Sequence, residues 1–129
     1  MKRKILSNEN DLILFAKEFS KKLKRGDIVF LHGNLGAGKT TFTKGIAQGL
    51  SINETITSPT FSIIKEYDNR LCHVDAYRLK NEEVGLDYYL DNYIIVIEWP
   101  ENLIDDITPN YEIMIDYHLQ GRKIEVKEN

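Results

Sequence analysis

The sequence predicts an α/β fold, a mixed β-sheet flanked by helices, in a single domain spanning residues 1–129. Three observations lead there. Tyr93-Ile94-Ile95-Val96-Ile97 is the most apolar run of the chain. It is short, β-branched and non-alternating, the pattern of a strand covered on both faces at the centre of a sheet. Apolar residues recur at helical spacing at Leu12, Phe15, Ala16, Phe19 and Leu23, and again at Phe42, Ile46, Ala47 and Leu50. Between those two stripes a glycine-rich turn joins a strand-type run to a helix. Segments alternating in this way build α/β layers, and 129 residues suit one core.

In chain order, residues 3–6 form a short strand, and Ser7 or Asn8 caps the helix that carries the first stripe. Arg25-Gly26-Asp27 ends that helix and leads into the strand Ile28-Val29-Phe30-Leu31. The glycine-rich turn and the second helix, Thr41 to Leu50, come next, then a polar stretch from Ser51 to Ser58. Thr60 to Tyr67 reads as a strand, Asp68-Asn69 as a turn, and Leu71 to Asp75 as the returning partner, giving a hairpin over 60–75. Residues 76–92 are mixed, with a short helix expected around Glu82 to Leu86. After the buried strand, Pro100 breaks the run and a helical turn follows over Glu101 to Ile104. Tyr111 to Tyr117 and Arg122 to Val126, joined at Gln120-Gly121, form a second hairpin over 111–126. The whole is expected as a mixed sheet with helices on both faces plus two hairpins, without repeats or linkers.

Composition narrows the function. The formal charge of −3 disfavours a dedicated nucleic-acid binder, and the clusters Lys2-Arg3-Lys4 and Lys21-Lys22-Lys24-Arg25 read as solvated element ends. Cys72 is the only cysteine, so the chain forms no internal disulfide and has no cysteine-based metal spacing. The N-terminus has no apolar signal core and no run approaches membrane-spanning length, so the expectation is a cytoplasmic protein without membrane association.

The chemistry lies in Gly33-Asn34-Leu35-Gly36-Ala37-Gly38-Lys39-Thr40, which fits the Walker A pattern G-x-x-x-x-G-K-[ST] at every fixed position. Glycines let such a loop turn tightly and aim its N–H groups inward, and the following helix adds the positive end of its dipole. Lys39 would place a point charge on the β- and γ-phosphates, and the Thr40 hydroxyl would be a magnesium ligand. The architecture expected is therefore P-loop NTPase-like, with the loop at the carboxyl end of its strand.

A phosphate loop needs carboxylates on its metal side. Glu98 ends the buried strand and is the first choice for metal contact, directly or through water; Asp75 ends the hairpin strand and could hold the metal's water or position the attacking one. Thr57-Ser58-Pro59-Thr60-Phe61 reads equally as a simple turn and as a switch segment sensing the γ-phosphate. Trp99 follows Glu98 directly and reads as core packing or as a residue that covers the site or meets a partner, while His32 and His73 read as structural.

With these residues in order, the chain resembles the TsaE family (older name YjeE), small bacterial ATPases needed to make threonylcarbamoyladenosine in tRNA. The resemblance covers essentially the whole chain. It rests on His32 to Thr41, Ser58-Pro59-Thr60-Phe61 with Tyr67, His73-Val74-Asp75-Ala76-Tyr77-Arg78-Leu79 and Ile97-Glu98-Trp99-Pro100. It implies binding of ATP with magnesium and slow turnover alone. It also implies work beside the larger pair TsaD and TsaB, which modifies the adenosine next to the anticodon; tRNA is contacted only indirectly. By the same resemblance Asn34, Leu35, Gly36, Ala37, Gly38, Lys39, Thr40 and Thr41 line the nucleotide, with Thr60 in the switch-like segment. Glu98 matches the metal-side glutamate, Asp75 the Walker B-like aspartate, Trp99 a functionally sensitive tryptophan, and Arg122 an arginine beside the nucleotide. One departure is visible: Asp11 stands where the family often has a threonine near the base.

The residues by themselves also admit a small nucleoside or metabolite kinase, or a binding module gated by nucleotide. The chain is short for the lid and acceptor pocket of a kinase, and no N-K-x-D-type guanine-reading motif is present. Nor is there an obvious arginine finger, which implies slow intrinsic turnover that a partner supplying an arginine would raise by ~10³. Which carboxylate activates water is left open by the sequence.

Overall fold

A computed structural model describes residues 2–57 and 63–129; Ser58, Pro59, Thr60 and Phe61, with the expected start of the first hairpin, lie outside the described residues. The chain runs β1 (Lys2–Leu6), α1 (Glu9–Ser20), β2 (Ile28–His32), α2 (Lys39–Gly49), β3 (Ile64–Tyr67), β4 (Leu71–Asp75), β5 (Ile94–Glu98), β6 (Tyr111–His118) and β7 (Gly121–Glu128). Short 3-10 turns occupy Leu86–Tyr88 and Pro100–Asn102.

Among the described residues the sheet has seven strands in the order β1-β7-β6-β2-β5-β4-β3. β2 runs parallel to both of its neighbours, β5 and β6, and β4 runs parallel to β5. The outer pairs β1/β7, β6/β7 and β3/β4 are antiparallel. The mixed sheet is therefore as expected: a parallel core extended by a hairpin on each side. Every residue of β5 is buried, which is what its unbroken apolar run requires. Asp68 and Asn69, both at positive φ, make the β3–β4 turn. These residue types tolerate the left-handed region that this tight turn, closed by the Arg70 N–H on the Tyr67 carbonyl, demands.

Alternation along β2 and β5 splits the core in two. Val29, Leu31, Ile94 and Val96 meet Leu12, Ala16 and Phe19 of α1 and Phe42 and Ile46 of α2. Ile28, Ile95 and Ile97 point the other way, to Cys72, Val74, Leu86 and Tyr93. Both α-helices thus sit on one face, and loops and 3-10 turns cover the other, where a second helical layer was expected. The helix expected around Glu82 to Leu86 is replaced by the turn at Leu86–Tyr88. There Asp105 accepts from the backbone N–H groups of Val84, Gly85 and Leu86, satisfying donors a longer helix would have used.

α1 begins at Asn8, whose Oδ1 accepts from the Asp11 N–H at 2.9 Å. It stops at Ser20, one turn before Leu23, which still packs against the core. α1 and α2 touch through glycines: a Cβ on Gly45 would lie 2.5 Å from the Ala16 methyl and 2.7 Å from the Ile13 carbonyl oxygen. Among the described residues no helix is long and apolar enough to cross a membrane.

Candidate functional site

Three parallel strands end at one edge of the sheet. There β2 delivers the loop 33–40, β4 delivers Asp75 and β5 delivers Glu98, with Asp75 and Glu98 opposite one another in register. Carboxyl ends of parallel strands are where open α/β sheets bind ligands. A cavity of ≈ 430 Å³ opens at this edge, lined by the loop (Leu35, Gly36, Gly38, Lys39, Thr40, Thr41) and by Asp75, Tyr77, Arg78, Glu98 and Trp99. Most site residues expected from the sequence are brought together here. Asn34 and Ala37 of the loop do not line this cavity, Arg122 lines another cleft, and Thr60 lies outside the described residues.

The loop is shaped by its glycines. Gly38 caps α2 at φ 119, where a side chain is strained. A Cβ on Gly33 would stand 2.5 Å from the Ile115 carbonyl oxygen, inside the neighbouring strand. The first N–H groups of α2, those of Lys39 and Thr40, have no intrahelical acceptor and carry the positive end of the helix dipole. The Ala37 N–H donates to the Asn34 carbonyl at 3.0 Å, closing the loop on itself.

Lys39 is 5% exposed. Its ammonium donates to the Gly33 carbonyl and lies 3.6 Å from the centre of the Trp99 ring. Trp99 adopts φ 59 and ψ 49, a left-handed conformation uncommon for a bulky residue, which turns the indole back over the loop. Tyr77 packs on that indole with ring centres 5.0 Å apart. Burial lowers the Lys39 pKa below its ordinary 10.5, and the carboxylates of Glu98, Asp75 and Glu101 hold it up.

Glu98 is 4% exposed. Its Oε2 accepts from the Thr40 hydroxyl at 3.3 Å and from His73 Nε2 at 2.7 Å. Asp75 Oδ1 accepts the Tyr77 N–H at 3.0 Å, so the Asp75 carboxylate is oriented at the cavity wall. A hydroxyl with one or two carboxylates is a hard-oxygen set that fits magnesium, an ion that completes its shell with phosphate oxygens and water. Among the described residues no three His, Cys, Asp or Glu side chains cluster as a self-sufficient metal cage.

Two contributions lay beyond the sequence reading. His73, read as structural, is fully buried and bonded to Glu98. The available signal was the two-residue step from His73 to Asp75, which puts both on one face of β4. The second is Tyr117, which joins Arg122, already expected beside the nucleotide, in a brace from the last hairpin. Arg122 Nε donates to the Ala37 carbonyl at 2.7 Å, its guanidinium lies 4.4 Å from the Tyr117 ring centre, and the Tyr117 hydroxyl donates to the Leu35 carbonyl at 3.4 Å. Arg122 also lines a second cleft of ≈ 340 Å³ across the loop, with Asn8, Glu9, Leu12, Thr41 and Gly121. Asp11 instead lines the groove between α1 and β1.

Comparison with known proteins agrees with this fold. The sequence model of the family described as "Threonylcarbamoyl adenosine biosynthesis protein TsaE" matches residues 6–126. The chain is similar to the tRNA threonylcarbamoyladenosine biosynthesis protein TsaE of Bacillus subtilis (strain 168), with 42% identity over 114 residues, 84% of this chain and 72% of that protein. It is also similar to the protein of that name from Haemophilus influenzae, with 35% identity, covering 94% of this chain and 85% of the relative. The crystal structure of Bacillus subtilis YdiB superimposes with a TM-score of 0.83 at 34% identity, covering 98% of this chain and 84% of that one.

Proposed function

Since the chain belongs to the TsaE family of threonylcarbamoyladenosine biosynthesis proteins, we propose that it is a magnesium-dependent P-loop ATPase serving that modification of tRNA, at the adenosine next to the anticodon. It turns ATP over slowly alone and acts in the cytoplasm with the TsaD–TsaB pair, coupling ATP binding and hydrolysis to that pair's catalytic cycle. Contact with tRNA runs through the pair. The observation that carries this reading is the convergence of Lys39, Thr40, Asp75, Glu98 and Trp99 on one cavity at the mouth of a Walker A loop.

Phosphoryl transfer to water asks for positioning and charge neutralisation rather than covalent chemistry from the protein. The loop N–H groups and the α2 dipole would take the phosphate oxygens. Lys39, which now spends its ammonium on the Gly33 carbonyl and the Trp99 face, would transfer it to the β- and γ-phosphates. Magnesium, held by the Thr40 hydroxyl and the Glu98 carboxylate with Asp75 alongside, would supply charge neutralisation between those phosphates. Either Glu98 or Asp75 orients the attacking water. Trp99 and Tyr77 wall the cavity and limit bulk water there. Arg78 lines the cavity but is exposed, Arg122 is tied to the back of the loop, and among the described residues no other arginine lines the cavity, in keeping with slow unassisted turnover.

The test is ATP hydrolysis by the purified protein, alone and mixed with TsaD and TsaB from the same source. Slow turnover that rises with the pair is expected, and Lys39→Ala should abolish it and lose tRNA modification with the fold intact. Turnover unmoved by an intact pair, or normal modification in cells carrying only Lys39→Ala, would refute the proposal.

A further inference from the structure

His73 sits at a place where an apolar residue would cost less. It is fully buried on the helix-facing side of β4, opposite Val96 in register. Among the described residues its Nδ1 has no hydrogen-bond partner. Burying an imidazole with one unsatisfied nitrogen is unfavourable by itself. The side chain makes one hydrogen bond, and it goes to Oε2 of Glu98 at 2.7 Å, shorter than the 3.3 Å contact of that oxygen with the Thr40 hydroxyl. Both protein hydrogen bonds therefore fall on Oε2, and among the described residues no protein donor reaches Oε1.

We propose that His73 is a positioning residue: its Nε2–H fixes the plane of the Glu98 carboxylate so that Glu98 meets the metal–nucleotide in one orientation. The inference rests on reading the cavity as a magnesium–nucleotide site. Thr40 is itself expected at the metal, so among the described residues His73 is the one holder of Glu98 that is not also a ligand. A charge-assisted bond to an ionised carboxylate is about twice as strong as a neutral one, and partners one step behind the ligands govern metal affinity as much as orientation.

The experiment measures binding of a fluorescent ATP analogue with and without magnesium, alongside thermal melting, for the wild type, His73→Leu and His73→Gln. The glutamine keeps an N–H donor near the place of Nε2; the leucine keeps only bulk. In His73→Leu the magnesium concentration for half-maximal enhancement should rise by roughly 10- to 100-fold, with metal-free affinity unchanged. His73→Gln should return to within a few-fold of the wild type. Equal magnesium requirements in all three proteins, or equal shifts in Leu and Gln, would overturn the role of His73 and leave the site reading intact. Binding by the wild type that ignores magnesium would overturn the site reading, and the role of His73 with it. Should His73→Leu fail to fold, His73→Asn replaces it: its amide stops short of Glu98, so the requirement should rise in Asn and not in Gln, and equal values would refute the role.

Discussion

Replacing Gly45 with alanine should destabilise the protein even though alanine is the better helix former. The gain from propensity is about 1 kcal/mol. Against it stands the α1–α2 contact. The new methyl would start 2.5 Å from the Ala16 Cβ, 2.7 Å from the Ile13 carbonyl oxygen and 3.2 Å from the Ile13 Cα. Carbon atoms in contact sit roughly 3.5–4.0 Å apart, so α1 must retreat by about 1 Å. No rotamer offers relief, because Ala16 has none and the Ile13 atoms are backbone. α1 is also pinned by Phe19, whose ring meets Phe42 at 5.7 Å and Tyr111 at 5.1 Å. Overpacking of this kind costs about 1–3 kcal/mol, and rigid neighbours put it at the upper end. The net loss is then about 2 kcal/mol, or a melting temperature lower by roughly 6–10 °C for a domain of this size. Melting followed by circular dichroism checks it, with Gln48→Ala on the exposed side of α2 as the control expected to move stability by under about 0.5 kcal/mol. A Gly45→Ala protein as stable as the wild type, or more so, would show that the helices separate freely and refute the close-packing argument.

Two further outcomes follow from the site. Because burial lowers the Lys39 pKa below 10.5 while Glu98 is first among the groups that hold it up, metal-free nucleotide affinity should fall as pH rises through that lowered value, and Glu98→Gln should move the fall to lower pH. The unfolded chain keeps the Lys39 proton to higher pH than the folded one, so this group makes stability rise with pH between the lowered value and 10.5. A binding profile in which Glu98→Gln falls at the same or higher pH would contradict the electrostatics. Arg122→Lys keeps the charge but loses the planar stack on Tyr117 and the aimed Nε–H on the Ala37 carbonyl. Losing a charged hydrogen bond of about 1.5 kcal/mol should weaken nucleotide binding roughly tenfold in a fluorescence titration; unchanged affinity would mean that the loop keeps its shape without the brace.

Local signals in the sequence carried well into the structure. The Walker A loop, the Asn8 cap, the Asp68-Asn69 turn and the unbroken apolar run of β5 each depend on neighbours a few residues away, and each lies where periodicity and turn chemistry put it. Asp75 and Glu98 were legible for a related reason: both end strands, and parallel strands end at the same edge. What could not be read depends on distant partners. Asp105 reshapes the segment around Leu86 from some 20 residues away. The single-sided placement of the helices follows from α1 and α2 closing on Gly45 and Gly49, which a one-dimensional pattern does not pair. His73 looked like a core residue of β4, because its partner Glu98 belongs to another strand and the register joining them is a tertiary fact.

The sheet order has a consequence for the timing of synthesis. β2, which carries the phosphate loop, is flanked by β5 and β6, strands made long after it. The arginine that braces the loop follows Ala37 by 85 residues. At about 5–20 residues per second, a ribosome takes several seconds or more to cover that interval. Until β5 and then β6 are made, the nascent chain carries a Walker A sequence without its flanking strands, and to the end of the interval it lacks the brace. On the proposed function, competence to grip a nucleotide would arrive only with the final hairpin, so chains cut short before β7 should emerge unable to capture ATP.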